Sequence, residues 1–276
     1  MFLDQKTFLD LAIIYTDNAP ENIVSPDQDL SPHLSGLRIF DCPLIGFAAS
    51  DDYCIASLQS NEKADIDLAP PTFWLSTAKT VVSFFFPFTL EIRRSNRIDM
   101  RNPSAEWLHG RIEGQNFIVG FCYYMADLLQ QAGHETVIPA VDSRFLTKRW
   151  FGESGRMLYS SNWSERHIAY ACGLGTFSLS KNIITKAGSA GRCGSLVTSM
   201  EFVPTLRSYT GTDDYCNRCG TCVRNCPASA ISLQNGKEHI FCSEFLDNVK
   251  NDYNPYYGCG KCQVAVPCED HIPKIF

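Results

Sequence analysis

Cys216, Cys219, Cys222 and Cys226 are spaced two, two and three residues apart, and Pro227 follows the last of them. Thiolates two residues apart in a tight turn can point at one centre, and the closing proline turns the chain away. This is the spacing that iron–sulfur clusters use, with the fourth cysteine of the run serving a second cluster. A second cluster needs three further thiolates and the first needs one more. Four are at hand: Cys242, Cys259, Cys262 and Cys268. The most economical assignment gives Cys216, Cys219, Cys222 and Cys268 to one [4Fe–4S] cluster. Cys226, Cys242, Cys259 and Cys262 then hold the other. A four-thiolate zinc site built from the two C-x2-C pairs is the competing chemistry, and it leaves half of these cysteines without a role. Of the thirteen cysteines in the chain, Cys122 reads as a small core residue. Cys193, in a glycine-rich stretch, reads as a candidate reactive thiol.

The chain has 276 residues, 45% hydrophobic and 20% charged, with a net charge of −6. That length suits one large core plus a small module. The acidic balance argues against a broad phosphate-binding surface. No apolar run is long enough to cross a bilayer, and the N-terminus lacks the pattern of a secretory signal. The expected setting is the cytoplasm, where clustered cysteines indicate metal or catalysis rather than disulfides.

The elements that must position the cysteines are read from periodicity. Helices are predicted from Asp4 to Ile14, from Phe117 to Ala132 with Gly133 as the stop, and from Ser164 through His167 to Gly173. Strands are predicted at Leu44–Ala49, Thr80–Phe86, Thr136–Ala140 and Gly194–Val203. Residues 80–140 thus read as strand, helix, strand. Polar, turn-rich residues 206–215 mark a boundary, giving an α/β core over 1–205 and a cysteine module over 206–276. No Walker A or G-x-G-x-x-G pattern occurs; the glycine-containing loops at 153–156 and 188–194 carry no phosphate motif. Ser31-Pro32-His33 approaches the D-x-H-x-x-G pattern of a histidine cobalamin ligand but lacks its aspartate.

Several short motifs occur in order before and within the cysteine module. They are Ala140-Val141-Asp142-Ser143-Arg144, Glu165 to Gly175 (ERHIAYACGLG), Ser180-Lys181-Asn182, Gly194 to Thr198 and Tyr257-Gly-Cys259-Gly-Lys-Cys262-Gln263. Together with the cysteine run, this order resembles the epoxyqueuosine reductase family and the related reductive dehalogenases, from about Pro43 to Pro273. The resemblance implies an α+β fold: a nitroreductase-like α/β core holding cobalamin, and a C-terminal ferredoxin-like module with two clusters that feed it electrons. It maps the family's proton donor onto Asp142, which would need a raised pKa. Ser143, Arg144, His167, Gly173, Leu174, Gly175 and Ser243 become the candidate cofactor-binding residues. Asp142 is followed here by Ser143-Arg144-Phe145 rather than Thr-Gly-Pro, and Cys268 by Glu269-Asp270. With the acidic charge, these departures make a small molecule or a corrinoid protein the expected substrate, rather than tRNA. The expected electron source is an external ferredoxin or flavodoxin, and no membrane partner is expected. Alternatives remain for individual residues: Arg144, Lys148 and Arg149 as a solvated loop, Gly173–Gly175 as a helix cap, His167 as a structural ring. Two other functions remain open: an electron-transfer protein without turnover of its own, and an iron–sulfur flavoprotein with FMN in the core.

Overall fold

In the computed structural model of the chain, residues 3–28, 30–59, 68–151 and 157–274 are described. The 153–156 loop lies outside them. In chain order the elements begin with α1 (Gln5–Asn18), β1 (Leu44–Ala49), α2 (Tyr53–Gln59), α3 (Pro71–Trp74), β2 (Thr80–Pro87) and α4 (Leu90–Ser95). The long α5 (Ala105–Gln131), β3 (Thr136–Val137), β4 (Thr147–Phe151), β5 (Met157–Ser161), α6 (Glu165–Ala171), β6 (Gly175–Phe177), β7 (Ile183–Thr185) and β8 (Gly191–Thr198) follow. The chain then forms α7 (Thr221–Arg224), β9 (Ile231–Ser232), β10 (Gly236–Lys237) and α8 (His239–Tyr253).

Four strands form the central antiparallel sheet in the order β1-β2-β8-β3. Every residue of β2 is buried, so the strand must pack on both faces, and its alternation assigns them. Val82, Phe84 and Phe86 face a cluster with Phe8 and Ala12 of α1 and Phe117, Phe121 and Met125 of α5. Val81 and Phe85 face Trp74 of α3, Ile55 of α2 and Ile168 of α6. The result is a sheet between two helical layers.

The predicted strand–helix–strand unit over 80–140 is corrected in one respect. β2 and β3 are not neighbours, because β8, from fifty residues further on, lies between them. β3 is also shorter than predicted: Pro139 removes a ladder donor, and the chain turns into a 3₁₀ helix at Pro139–Val141. This shortening shapes the site. β3 pairs with β8 only at residues 197 and 198, so the outer edge of β8 over 191–195 is left without a strand partner.

Helix α5 starts twelve residues earlier than its clear apolar stripe. Ser104 caps it, accepting from the Trp107 N–H at 3.2 Å. Its N-terminal half packs on the cysteine-bearing segment as well as on Phe40 and Phe88 beside the sheet. Leu108 clusters with Val249 and Tyr256, and the Arg111 guanidinium stacks 4.5 Å from the centre of the Tyr257 ring. Tyr256 donates to Glu113 Oε1 at 2.9 Å. The same segment is clamped further along. Buried Lys261 donates to the Asn96 carbonyl at 2.7 Å and to Asn96 Oδ1 at 2.6 Å. Glu269, 2% exposed, receives Arg93 and Arg97 together.

Candidate functional site

The eight cysteines of the C-terminal region separate into two groups. Cys216, Cys219, Cys222 and Cys268 line a small cavity of about 20 Å³ together with Leu179, Ile184 and Val266. Cys226, Cys242, Cys259 and Cys262 line a second cavity of about 440 Å³. Three stretches of chain bring the second set together: the end of the cysteine run, helix α8 and the loop 257–263. The two groups are near neighbours, since Cys222 lies within electrostatic reach of Cys262 as well as of Cys216, Cys219 and Cys268. Donors aim at the sulfurs. The Ala230 N–H reaches Cys226 Sγ at 3.3 Å, Asn182 Nδ2 reaches Cys262 Sγ at 3.4 Å, and the Ser189 hydroxyl reaches Cys268 Sγ at 3.8 Å. Among the described residues, no three His, Cys, Asp or Glu side chains are close enough to hold a single metal ion.

Gly260 makes the loop between Cys259 and Cys262 possible. Its φ is +69°, a left-handed turn, and a Cβ there would collide with the Trp107 indole. Gly260→Ala is therefore expected to displace the loop and lower the bound iron. Iron analysis of the purified variant checks this.

The larger cavity reaches from the cysteines into the core. The free edge of β8 forms one wall, with all of residues 191–195 exposed to it. Phe85, Phe88, Trp107, Ile118 and Ile138 supply apolar surface. Arg111, Gln115, Glu165, Arg166, Asn182, Arg192 and Lys237 supply polar groups. Arg192 bonds Gln115 Oε1, while its buried Nε has no partner. Both carboxylate oxygens of Glu165 are likewise buried and unpartnered. Burial, opposed by the nearby Ser195 hydroxyl, raises the Glu165 carboxyl to about 7. Cys193 lies in the same wall, and burial pushes its thiol up to about 12. That direction is opposite to the lowered pKa a reactive thiol needs.

The residues the resemblance offers for cofactor binding, Ser143, Arg144, His167, Gly173, Leu174, Gly175 and Ser243, do not line this cavity. Asp142 lies just past Ala140 and Val141, which do line it. Its carboxylate is held by Arg144, with Nε to Oδ1 and Nη2 to Oδ2 both at 2.8 Å. The Arg144 side chain holds the Asp142 carboxyl down at about 2, so it is ionised rather than a poised acid. Arg144 also donates to the carbonyls of Phe73 and Trp74. It clasps a loop with four of its five N–H donors. Ser143 is exposed in the turn between them.

Gly173 has a φ of +82° and terminates α6, and the Leu174 N–H bonds back to Ala169. Leu174 is core, and Gly175 lies against the backbone of Ile184, where a Cβ would not fit. These two glycines answer to chain packing. Ser243 follows Cys242 on α8 and is half-buried outside both cavities.

The His167 ring lies 4.7 Å from that of Phe177, and its Nδ1 is 2.7 Å from Ser164 Oγ. Burial, aided by Arg166 and Lys181, lowers its pKa from 6.5 to about 4. Between those values the unfolded chain takes up a proton that the folded ring refuses. His167 thus contributes stability fully above pH 6.5, and loses it as pH falls through 4, by about 3 kcal/mol. Melting curves of the parent and His167→Gln are expected to converge as pH falls through that window. His33 is exposed, 2.8 Å from the Ser31 hydroxyl.

Comparison with known proteins agrees with the cysteine geometry. Residues 212–232 match the family "4Fe-4S binding domain". A segment of 100 residues, 34% of this chain, is 29% identical to the trichloroethene reductive dehalogenase of Dehalococcoides mccartyi, covering 18% of that protein. Among solved structures, the catabolic reductive dehalogenase NpRdhA superposes with a TM-score of 0.54 at 14% identity, over 97% of this chain and 37% of that one. The chain shares the fold of reductive dehalogenases. A second such structure, whose title names B12-dependent dehalogenation, gives a TM-score of 0.53 at 15% identity, over 83% of this chain and 30% of that one. An epoxyqueuosine reductase gives 0.50 at 18% identity, over 85% of this chain and 66% of that one. The chain therefore spans less than two thirds of the length of these relatives. Its resemblance to epoxyqueuosine reductases and reductive dehalogenases now rests on architecture as well as on short motifs. A 4Fe–4S binding domain is present, and no helix among the described residues is long and apolar enough to cross a membrane.

Proposed function

We propose that this chain is an iron–sulfur reductase in which two [4Fe–4S] clusters pass electrons to a corrinoid in the larger cavity. On this reading residues 206–276 form the cluster-bearing module on a nitroreductase-like core. Cys216, Cys219, Cys222 and Cys268 hold one cluster; Cys226, Cys242, Cys259 and Cys262 hold the other. The observation that carries the proposal is the shared wall. Four thiols of an iron–sulfur ligand set and the polar and aromatic groups of the core line one cavity. Whatever sits there lies beside an electron source.

The residues fit these groups. The thiols divide four and four between the cavities, and N–H and O–H donors meet the sulfurs, as the tuning of a cluster requires. The cavity offers flat apolar surface beside Gln115, Asn182, Arg111 and Arg192, a mixture suited to a planar ring edged with amides. Its volume is that of a site for a drug-sized molecule, or for one portion of a larger cofactor. When bound, a corrinoid would supply a strong reductant for a carbon–halogen or carbon–oxygen bond. The chain's own part is to hold that group against the thiol set and keep the reacting bond away from bulk water. It also admits a small organic substrate and an external one-electron donor such as ferredoxin or flavodoxin.

Metal and cofactor content tests the proposal. Anaerobically prepared protein is expected to contain about eight iron and eight sulfide per chain and to retain cobalamin through gel filtration after reconstitution. Zinc without sulfide overturns it. Clusters without retained cobalamin make the chain an electron carrier, and FMN released on denaturation makes it a flavoprotein.

A further inference from the structure

Among the described residues lining the larger cavity there is one carboxyl group, and it belongs to Glu165. It sits at the first turn of α6, and residues of β8 and α5 press on it. The Ser195 hydroxyl of β8 accepts the Trp163 indole N–H at 2.8 Å, and its own O–H, turned toward Glu165, partly offsets the effect of burial. Neither Glu165 oxygen makes a hydrogen bond of ordinary geometry. The other titratable groups facing it are thiols: Cys122 of α5, Cys193 of β8 and Cys172 at the end of α6. Burial raises all three, so they are neutral. The cations that line the cavity, Arg111, Arg166, Arg192 and Lys237, form no ion pair with Glu165. A buried carboxylate without a partner is unfavourable, whereas a buried carboxylic acid is not. Glu165 is thus held as an acid, about half protonated near neutral pH, and neither oxygen has a hydrogen-bond partner of ordinary geometry among the described residues.

We propose that Glu165 is the proton donor of this cavity, in the place that the sequence motif reserves for Asp142. The inference rests on the reading that reduction takes place there. Reductive cleavage of an organic halide R–X consumes two electrons and one proton and yields R–H and X⁻. The electrons enter singly from an external one-electron donor protein by way of the cysteine-held clusters. The C–X bond breaks and X leaves with an electron pair. The new C–H bond takes its proton from the Glu165 O–H, and water restores that proton. The Arg144 side chain holds the Asp142 carboxyl down at about 2, so near neutral pH the proton is on Glu165 rather than on Asp142.

Two measurements test the assignment. Infrared spectra of the cluster-loaded protein are expected to show a carboxylic acid band near pH 6 that fades by about pH 8. Asp142→Asn keeps the band and Glu165→Gln lacks it. The second uses cobalamin-loaded protein, reduced methyl viologen as the one-electron donor and 4-bromobenzoate as the probe. Bromide release by Glu165→Gln should fall about 100-fold near pH 6, with iron and cobalt contents unchanged. Glu165→Asp should recover part of the loss. An acid band that survives in Glu165→Gln, or parental bromide release by that variant, overturns the assignment. Missing iron, sulfide or cobalt in the parent protein instead overturns the functional reading, and the infrared result then judges Glu165 by itself.

Discussion

Cys216→Ala is expected to lower iron from about eight atoms per chain to about four, with sulfide falling in step, because a cubane that loses one thiolate loses its purchase on the chain. Cys259→Ala should remove a similar amount from the other set. The two differ in their consequence for the cavity. Cys259 lines its wall and Cys216 does not. Cys259→Ala should therefore also change the environment of a molecule bound there, visible as a shifted corrinoid absorption band. Cys122→Ala is the control: it empties a methyl-sized space in the core beside Gly194 and should leave iron unchanged. Full iron in Cys216→Ala would sink the division of ligands.

The second large effect is on stability. Glu269→Ala removes the carboxylate that Arg93 and Arg97 share, together with the acceptor of the Ala265 N–H at 2.6 Å. Arg93, 12% exposed, then keeps only Asp270, and Arg97, 39% exposed, turns to solvent, so the loss falls toward the lower end of the about 3–5 kcal/mol that breaking a buried pair costs. Asp270 also bonds Arg93, at 2.8 Å, but its side chain is 46% exposed, so Asp270→Ala should lose about 1 kcal/mol or less. Denaturant titration of the two variants separates them. Equal midpoints would show that the clamp contributes no more than a surface pair.

The cysteine positions were legible in the sequence because their chemistry is written in local spacing. β1 and β2 were legible for a related reason: a strand buried on both faces reads as an unbroken apolar run. What escaped depends on distant contacts. The first half of α5 looks irregular, since His109, Gly110, Arg111 and Gly114 interrupt its stripe. Several of its partners lie near the other end of the chain, at Tyr256, Tyr257 and Gly260. Glu165 stood inside a quoted motif, yet nothing local distinguishes it from any acid in a first helical turn. Its character comes from β8, thirty residues on. Asp142 is a case of the opposite kind. It stands two residues past Ala140, which lines the cavity, and Arg144 two residues later holds its carboxyl down.

Helix α5 spans 27 residues, about 40 Å of rigid rod. One end grips the cysteine loops and the other is wedged against the sheet. Such a rod keeps an angular register between its ends. Adding or deleting one residue within it would swing everything beyond by about 100° and send Arg111 and Glu113, or else Phe117 and Phe121, toward the wrong neighbours. Length variation in proteins built on this plan should therefore collect in the surface connections and spare this helix.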